Sequence, residues 1–165
     1  MKRYFFNLLI SFLPSTRFFI FKQKVFRFLC GSIGENTCIN QGVKIFGNSR
    51  ISIGRNSWIG INCIISSSNP GYVEIGKNCD IAPNVMIING THEIGDNNRR
   101  AGEGKSLNIK IGDGVWIGAS STIHGGAVIG NGSIIASGSV VMKGSFPENV
   151  ILGGIPAKVI RKFNN

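Results

Sequence analysis

The stretch IGDGVWIGASSTIHGGAVIGNGSIIASGSVV (residues 111–141) decides the fold. An aliphatic residue stands at every sixth position: Ile111, Ile117, Ile123, Ile129, Ile135 and Val141. The same spacing runs outward towards the N-terminus through Ile75, Ile81 and Ile87, through Ile53, Ile59 and Ile65, and through Ile33, Ile39, Ile45 and Ile51. The phase slips by two between Ile51 and Ile53 and is lost after Ile87. Four places after the aliphatic the residue is small or β-branched, as at Thr37, Val43, Ser57, Cys63, Cys79, Val85, Val115, Ser121, Ala127, Ser133 and Ser139. A helix carries its apolar stripe at 3.6 residues and a simple amphipathic strand alternates at two. A period of six fits a short strand plus a turn. The large aliphatic then fills an interior and the small residue lies at a tight inner corner. The glycine that often follows the aliphatic (Gly34, Gly54, Gly60, Gly76, Gly112, Gly118, Gly130) permits the turn. Stacked units form an all-β parallel β-helix. Fifteen hexads at three flat sides per coil predict five coils, roughly 24 Å tall at ~4.8 Å per rung.

With 165 residues, 42% hydrophobic and 16% charged, the chain is one folded unit and not a disordered polyelectrolyte. Its formal charge is +10, which alone would suggest nucleic acid, a membrane surface or an anionic ligand. The excess is local. Residues 1–30 carry six cations (Lys2, Arg3, Arg17, Lys22, Lys24, Arg27) and no acid, which leaves 12 basic against 8 acidic residues, or +4, over 31–165. With no recognisable RNA- or DNA-binding motif in that remainder, no nucleic-acid partner is expected.

Eight of the eleven phenylalanines also lie before residue 31. Phe18, Phe21, Val25 and Phe28 recur at three- and four-residue steps among Lys22, Lys24 and Arg27, which predicts an amphipathic basic helix. Pro14, Ser15 and Thr16 read as a break and N-cap before it. Tyr4 to Leu13 after Lys2-Arg3 has the outline of a signal peptide, but Asn7 and Ser11 interrupt it and no small-x-small cleavage site follows. The preferred reading divides the chain into a helical cap, 1–30, over the open end of a β-helix domain, 31–165. A second reading adds a peripheral membrane contact through residues 1–30.

Between Ile87 and Ile109 the hexads give way to a polar excursion, residues 89–108, which holds His92, Glu93, Asp96, Arg99, Arg100, Glu103 and Lys105. Connections beyond ~12–15 residues are usually functional or disordered. Only two histidines exist. His124 lies inside a regular repeat and is expected to be a wall residue on a turn. His92 stands at the root of the excursion, and the residues alone leave it open between a catalytic base and a loop residue. Glu93 is expected to be a solvated loop acid. Four cysteines (Cys30, Cys38, Cys63, Cys79) form no CxxC, and with two histidines no zinc set is available, so no metal is expected.

The hexads, together with Val73-Glu74-Ile75-Gly76-Lys77-Asn78, Ile81-Ala82-Pro83-Asn84, Trp116-Ile117-Gly118 and Gly153-Gly154-Ile155-Pro156-Ala157-Lys158-Val159-Ile160, resemble the hexapeptide-repeat acyltransferases, most closely the galactoside/maltose-type O-acetyltransferases. The segments Leu13-Pro14-Ser15-Thr16-Arg17 and Thr91-His92-Glu93-Ile94-Gly95 look like acetyltransferases of bacterial surface polysaccharides. The resemblance covers residues 33 to about 161. It implies a left-handed β-helix, a homotrimer with sites between neighbouring prisms, acetyl-coenzyme A as donor and a sugar or glycan hydroxyl as acceptor. It implies His92 as general base in a direct transfer. Coenzyme contacts would fall at Ala119, Ser137, Met142, Lys143, Lys158 and Arg161; Ala119 replaces a serine and Met142 a threonine of the galactoside-type pattern. The location it implies is cytoplasmic, or peripheral at the inner face of the cytoplasmic membrane. The rival readings are another small acceptor (an antibiotic, serine or a nucleotide-sugar amine) and a non-catalytic β-helix scaffold.

Overall fold

The computed structural model describes residues 1–163, so the last two positions of the 31–165 unit lie outside the described residues. Two helices, α1 (Lys2–Phe12) and α2 (Phe19–Leu29), precede the coils. The first coil is β1 (Ser32–Ile33), β2 (Cys38–Ile39) and β3 (Lys44–Phe46), and the second is β4 (Ile51–Ile53), β5 (Trp58–Ile59) and β6 (Ile64–Ser66). The third is β7 (Val73–Ile75), β8 (Asp80–Ile81) and β9 (Met86–Ile88), from which a hairpin projects, β10 (Gly90–Ile94) and β11 (Ala101–Ser106). The fourth is β12 (Ile109–Ile111), β13 (Trp116–Ile117) and β14 (Thr122–His124), and the fifth is β15 (Ala127–Ile129), β16 (Ile134–Ile135) and β17 (Val140–Val141). Two further strands, β18 (Gly144–Phe146) and β19 (Val150–Gly154), begin a sixth coil before β20 (Ala157–Lys162) turns back.

Strands stack in parallel into three faces: β1-β4-β7-β12-β15-β18, β2-β5-β8-β13-β16-β19 and β3-β6-β9-β14-β17. The architecture is a left-handed parallel β-helix. It is taller than the five coils expected. The sixth escaped the hexad count because Phe146 stands five places after Val141 instead of six; from there Val150 and Leu152 follow at the ordinary four and six places.

Every aliphatic of the six-residue series from Ile33 to Val141 is buried, at 5% exposure or less. So are the small corner residues. Their hydroxyls and thiols satisfy carbonyls of the next coil: Ser57 Oγ donates to Gly76 O (3.1 Å), Ser121 Oγ to Ala136 O (3.0 Å) and Cys63 Sγ to Ala82 O (3.1 Å). The turns are made differently from expectation. The residue with positive φ lies three places after the aliphatic, as at Asn36, Asn56, Asn62, Asn78, Asn84, Gly114, Gly132 and Gly138; Asn and Gly tolerate that left-handed conformation best. The glycine directly after the aliphatic serves stacking: a Cβ on Gly60 would lie 2.6 Å from the Ala82 backbone of the coil above.

The slip at Ile51 is not an error of phase. Four of the six first-face strands bury two residues each: Ile51 with Ile53, Val73 with Ile75, Ile109 with Ile111, Ala127 with Ile129. All insertions fall at one corner, between the third face and the first. Ile45 to Ile53, Ile65 to Ile75 and Ile87 to Ile111 each exceed the six residues that separate Ile123 from Ile129 at the same corner.

The helices bury Phe6, Ile10 and Phe26 in the same core as Ile33, Ile39 and Ile45. Neither Ser15 nor Thr16 caps α2; Phe18 occupies the N-cap with φ 59°. The buried side of α2 is also not the phenylalanine stripe but Lys22, Gln23 and Phe26. The reason lies in the first coil, whose rim presents unpaired backbone groups. Asn7 donates to Ile45 O (3.0 Å) and accepts from Ile45 N (2.8 Å), as a neighbouring strand would. Gln23 Nε2 donates to Thr37 O (2.7 Å) and Arg27 Nε to Ile33 O (3.0 Å). The Arg3 guanidinium reaches the carbonyls of Cys30 (3.1 Å), Phe46 (2.6 Å) and Ser49. Lys22 Nζ donates to Pro14 O (2.7 Å) and Ser15 O (3.1 Å), and burial lowers its pKa from the usual lysine value.

Ile117→Asp or Ile129→Asp is expected to abolish folding, because an unpaired carboxylate in this interior costs several kcal/mol. A soluble variant with a cooperative melt by circular dichroism would contradict the inward placement of that column.

Candidate functional site

The polar excursion is an ordered antiparallel hairpin and not a loose loop. Thr91 pairs with Lys105 and His92 with Gly104, with a register shift between His92 and Ile94. Its root is held by Asn89, which is fully buried. The Asn89 amide accepts from Ser68 N (2.8 Å) and donates to Ser68 O (2.9 Å), while its backbone carbonyl accepts from Leu107 N (3.0 Å). Entry and exit of the hairpin are thereby tied to each other and to the second coil. At the tip, Asp96 Oδ1 accepts from Asn98 N (2.9 Å) and Arg99 N (3.0 Å), and Arg100 bonds Asn97 and Gly95 O within the turn. Glu93 is exposed, as expected of a loop acid, but it is paired: Lys105 Nζ lies 2.6 Å from its Oε1 across the two strands.

Beneath the hairpin lies a cavity of about 440 Å³. The hairpin supplies Thr91, His92, Glu93 and Lys105; the wall supplies Leu107, His124 and Gly125; the coil above supplies Met142 and Lys143. His92 stands opposite a glycine, so no side chain on the partner strand fills the space beside its ring. The chain's only two histidines therefore line one cavity. An exposed imidazole beside a cavity can take a proton from a bound hydroxyl near neutral pH and return it to a leaving group.

His124 is a wall residue, as expected, but it ends strand β14 instead of standing in the turn, and its side chain borders the cavity. A signal for this existed. Ile87 and Ile123 occupy the same face, with Ile88 paired to His124, so the residue after Ile123 emerges at the corner from which the hairpin leaves.

The six expected coenzyme positions fall into two groups. Met142 and Lys143 follow β17 and line the His92 cavity. Ala119 and Ser137 lie in successive coils at the other end of the third face, where Gly138 N donates to Ala119 O (2.9 Å). Lys158 is there too, paired with Gly153 at the close of β19, and Arg161 lies farther back along β20, opposite Ile151. Both cations are exposed. Among the described residues no group of three or more His, Cys, Asp or Glu side chains gathers as a metal site.

A family model described as bacterial transferase hexapeptide (six repeats) matches residues 108–143, and one described as hexapeptide repeat of succinyl-transferase matches residues 50–88. The galactoside O-acetyltransferase of Escherichia coli (strain K12) is 36% identical over 144 residues, which span 87% of this chain and 70% of that protein. WbbJ of the same strain, a putative lipopolysaccharide biosynthesis O-acetyl transferase, is 32% identical over 136 residues, 79% of this chain and 60% of that protein. The crystal structure of the hexapeptide-repeat containing acetyltransferase VCA0836 from Vibrio cholerae O1 biovar eltor, complexed with acetyl coenzyme A, is similar with a TM-score of 0.84 and 25% identity, covering 99% of this chain and 86% of that chain.

The cysteines stand apart from the cavity. Burial pushes the Cys30 thiol up to about 12 and the Cys63 thiol up to about 11, so both are protonated and poorly nucleophilic at neutral pH. In the unfolded chain each loses its proton near 9. Above that pH the unfolded state gives up a proton that the folded state keeps, so stability falls as pH rises. The thermal midpoint is expected to drop between pH 9 and the folded value near 11, with at most about 1.4 kcal/mol per pH unit from each thiol. Calorimetry of Cys63→Ser, which keeps a donor in the same corner, should show a shallower decline; an unchanged slope would mean that Cys63 is not shielded.

Proposed function

The chain belongs to the hexapeptide-repeat acyltransferases, a galactoside/maltose-type O-acetyltransferase using acetyl-coenzyme A, and from that premise we propose that it acetylates a sugar hydroxyl of a surface polysaccharide with His92 as general base. The observation that carries the reading is the cavity at the hairpin corner. It brings His92, the second histidine and Lys143 to one space at the corner where the regular wall is interrupted. The polysaccharide acceptor is supported by likeness to a putative lipopolysaccharide biosynthesis O-acetyl transferase.

In this mechanism the acceptor hydroxyl attacks the thioester carbonyl carbon while His92 takes its proton. The tetrahedral adduct collapses, the carbon–sulfur bond breaks, and the imidazolium returns the proton to the departing thiolate. No acyl-enzyme is needed, which agrees with the shielded thiols. The coenzyme would lie along the third face. Its thioester end would meet Met142 and Lys143, its arm Ala119 and Ser137, and its phosphates Lys158 and Arg161. His124, across the cavity from the hairpin, would hydrogen-bond the acceptor.

A homotrimer fits the chemistry of the three faces. Outward positions of the first face are largely polar, with Ser32, Glu74, Lys110 and Ser145 exposed. The second face turns Trp58 and Trp116 outward, at 39% and 54% exposure, and the third carries Ile64, Met86 and Ile88. Packing second and third faces between subunits would cover these and place each cavity beside a neighbour. We place the enzyme on the cytoplasmic side, where acetyl-coenzyme A is supplied.

His92→Ala is expected to lower turnover by about 10²–10⁴, the contribution typical of a general base, while the oligomer measured by light scattering is unchanged. Retention of more than a tenth of wild-type turnover would remove His92 from the mechanism. His124→Ala is expected to raise the acceptor KM by up to about tenfold, the loss of one hydrogen bond, with coenzyme affinity unaltered. Mass spectrometry of the surface glycan with and without the gene tests the acceptor; an unaltered acetyl content would point to a different one.

A further inference from the structure

We propose that the outer face of the two-helix cap is a docking surface for an anionic membrane. The cap spends its polar residues inward, on the rim of the first coil, and turns its large apolar residues outward. On α1, Tyr4, Phe5, Leu8 and Phe12 share the side opposite Phe6 and Ile10 and are 67%, 54%, 46% and 79% exposed. The α2 segment adds Phe18, Ile20, Phe21 and Phe28, at 59%, 72%, 46% and 77%. So many exposed aromatic and aliphatic groups on two short helices mark a surface that is covered in use. No helix among the described residues is long and apolar enough to cross a membrane. The arrangement suits a helix pair lying in the interface.

Charge selects the occupant. No acid occurs before Glu35. Arg3, Lys22 and Arg27 are committed to backbone carbonyls. Lys2, Arg17 and Lys24 are exposed, and Lys2 Nζ lies 5.9 Å from the centre of the Phe28 ring, at the border of the apolar face. Beside it a cavity of about 430 Å³ is lined by Lys2, Arg3 and Arg50 without a carboxylate, a setting for a lipid phosphate. Two copies meeting through this face would oppose two surfaces of net positive charge, each with Glu35 beside Ile20 and Arg27 at its border. An anionic leaflet complements it, and each cation near such a surface adds attraction that salt screens.

The surface stands on its own geometry and rests on the proposed enzyme only for its purpose, which is to bring the cavity to acceptors held at a membrane. In a trimer with parallel subunits the three caps share one end, so weak contacts would act together. The test is flotation of the full chain with phosphatidylcholine vesicles, with and without phosphatidylglycerol, at low and high salt, alongside acetyl transfer to a soluble galactoside. Binding is expected only with phosphatidylglycerol and is expected to weaken with salt. A Phe5→Ser/Phe12→Ser variant and a Lys2→Gln/Arg17→Gln/Lys24→Gln variant should each bind at least tenfold more weakly, with thermal midpoint and soluble-acceptor turnover unchanged. Absence of wild-type binding, equal binding to neutral vesicles, or a concentration-dependent assembly that Phe5→Ser/Phe12→Ser abolishes would each overturn the proposal. Lost turnover with intact vesicle binding would instead count against the enzyme reading.

Discussion

Everything in this molecule is subordinate to the hydrogen-bond ladder between one coil and the next. The Gly34 amide donates to Ile53 O (2.8 Å), Gly54 to Ile75 O (2.8 Å), Gly76 to Ile111 O (2.8 Å) and Gly112 to Ile129 O (2.9 Å). At the strand spacing of ~4.8 Å there is room for only one backbone layer per coil. Each coil must therefore close on itself in register, with one large residue per side, one small residue per corner and a left-handed residue at each turn. The Gly76–Ile111 bond has a further consequence. The ladder passes directly from the third coil to the fourth, so whatever lies between must leave and return at one corner. Asn89 and Leu107, hydrogen-bonded to each other at 3.0 Å, are that point. A long insertion is thus admitted without cost to the prism, and the position of His92 follows from where the ladder permits an exit.

The same ladder creates two open ends, and they are closed by different means. At the start, side chains of α1 and α2 act as surrogate strands: Asn7 on Ile45, Gln23 on Thr37, Arg27 on Ile33. At the finish, β20 folds back antiparallel on β19, pairing Leu152 with Val159 and Gly154 with Ala157. Satisfied edges prevent coil-to-coil association of separate chains. They also explain a substitution pattern that helix periodicity alone misreads. Lys22 and Gln23 are buried because a rim of carbonyls needs donors more than it needs hydrocarbon.

The inward isoleucines and the corner residues were legible because each is dictated by one coil's own geometry. The Asn-or-Gly step three residues later was equally present in the sequence and marks the turns better than the glycine after the aliphatic. The sixth coil was hidden because the step from Val141 to Phe146 is one residue short and because Phe146 and Leu152 replace the β-branched aliphatics of the earlier coils. The partnership of His92 with His124 is of another kind. The two lie 32 positions apart, and they line one cavity because three faces repeat and both stand at the same corner. Local composition could not reveal that. Counting faces could, since the step from Ile87 to Ile123 returns to the third face. The hairpin's pairing of Glu93 with Lys105, by contrast, depends on a register set by the turn at Asp96, which no pattern in the hexads constrains.

Charge is the property most easily misread from a total. A formal +10 on 165 residues invites a polyanion, yet its parts answer to separate demands. Arg3, Lys22 and Arg27 are backbone partners, and burial lowers the pKa of Arg3 and of Lys22 because it strips water from the charged groups. Lys105 is matched by Glu93, and Lys77 by Asp113 at 3.4 Å. Among the exposed cations, Lys2, Arg17 and Lys24 stand at the cap, Lys143 at the cavity, and Lys158 and Arg161 at the closing hairpin. The cap and the closing hairpin lie at opposite ends of the stack of coils. Separate basic sites would suit the separate anions of the two proposals, one at the end and one along the wall. In the proposed roles the continuous ladder would keep the two encounters independent, so that docking at the cap would leave the geometry around His92 undisturbed.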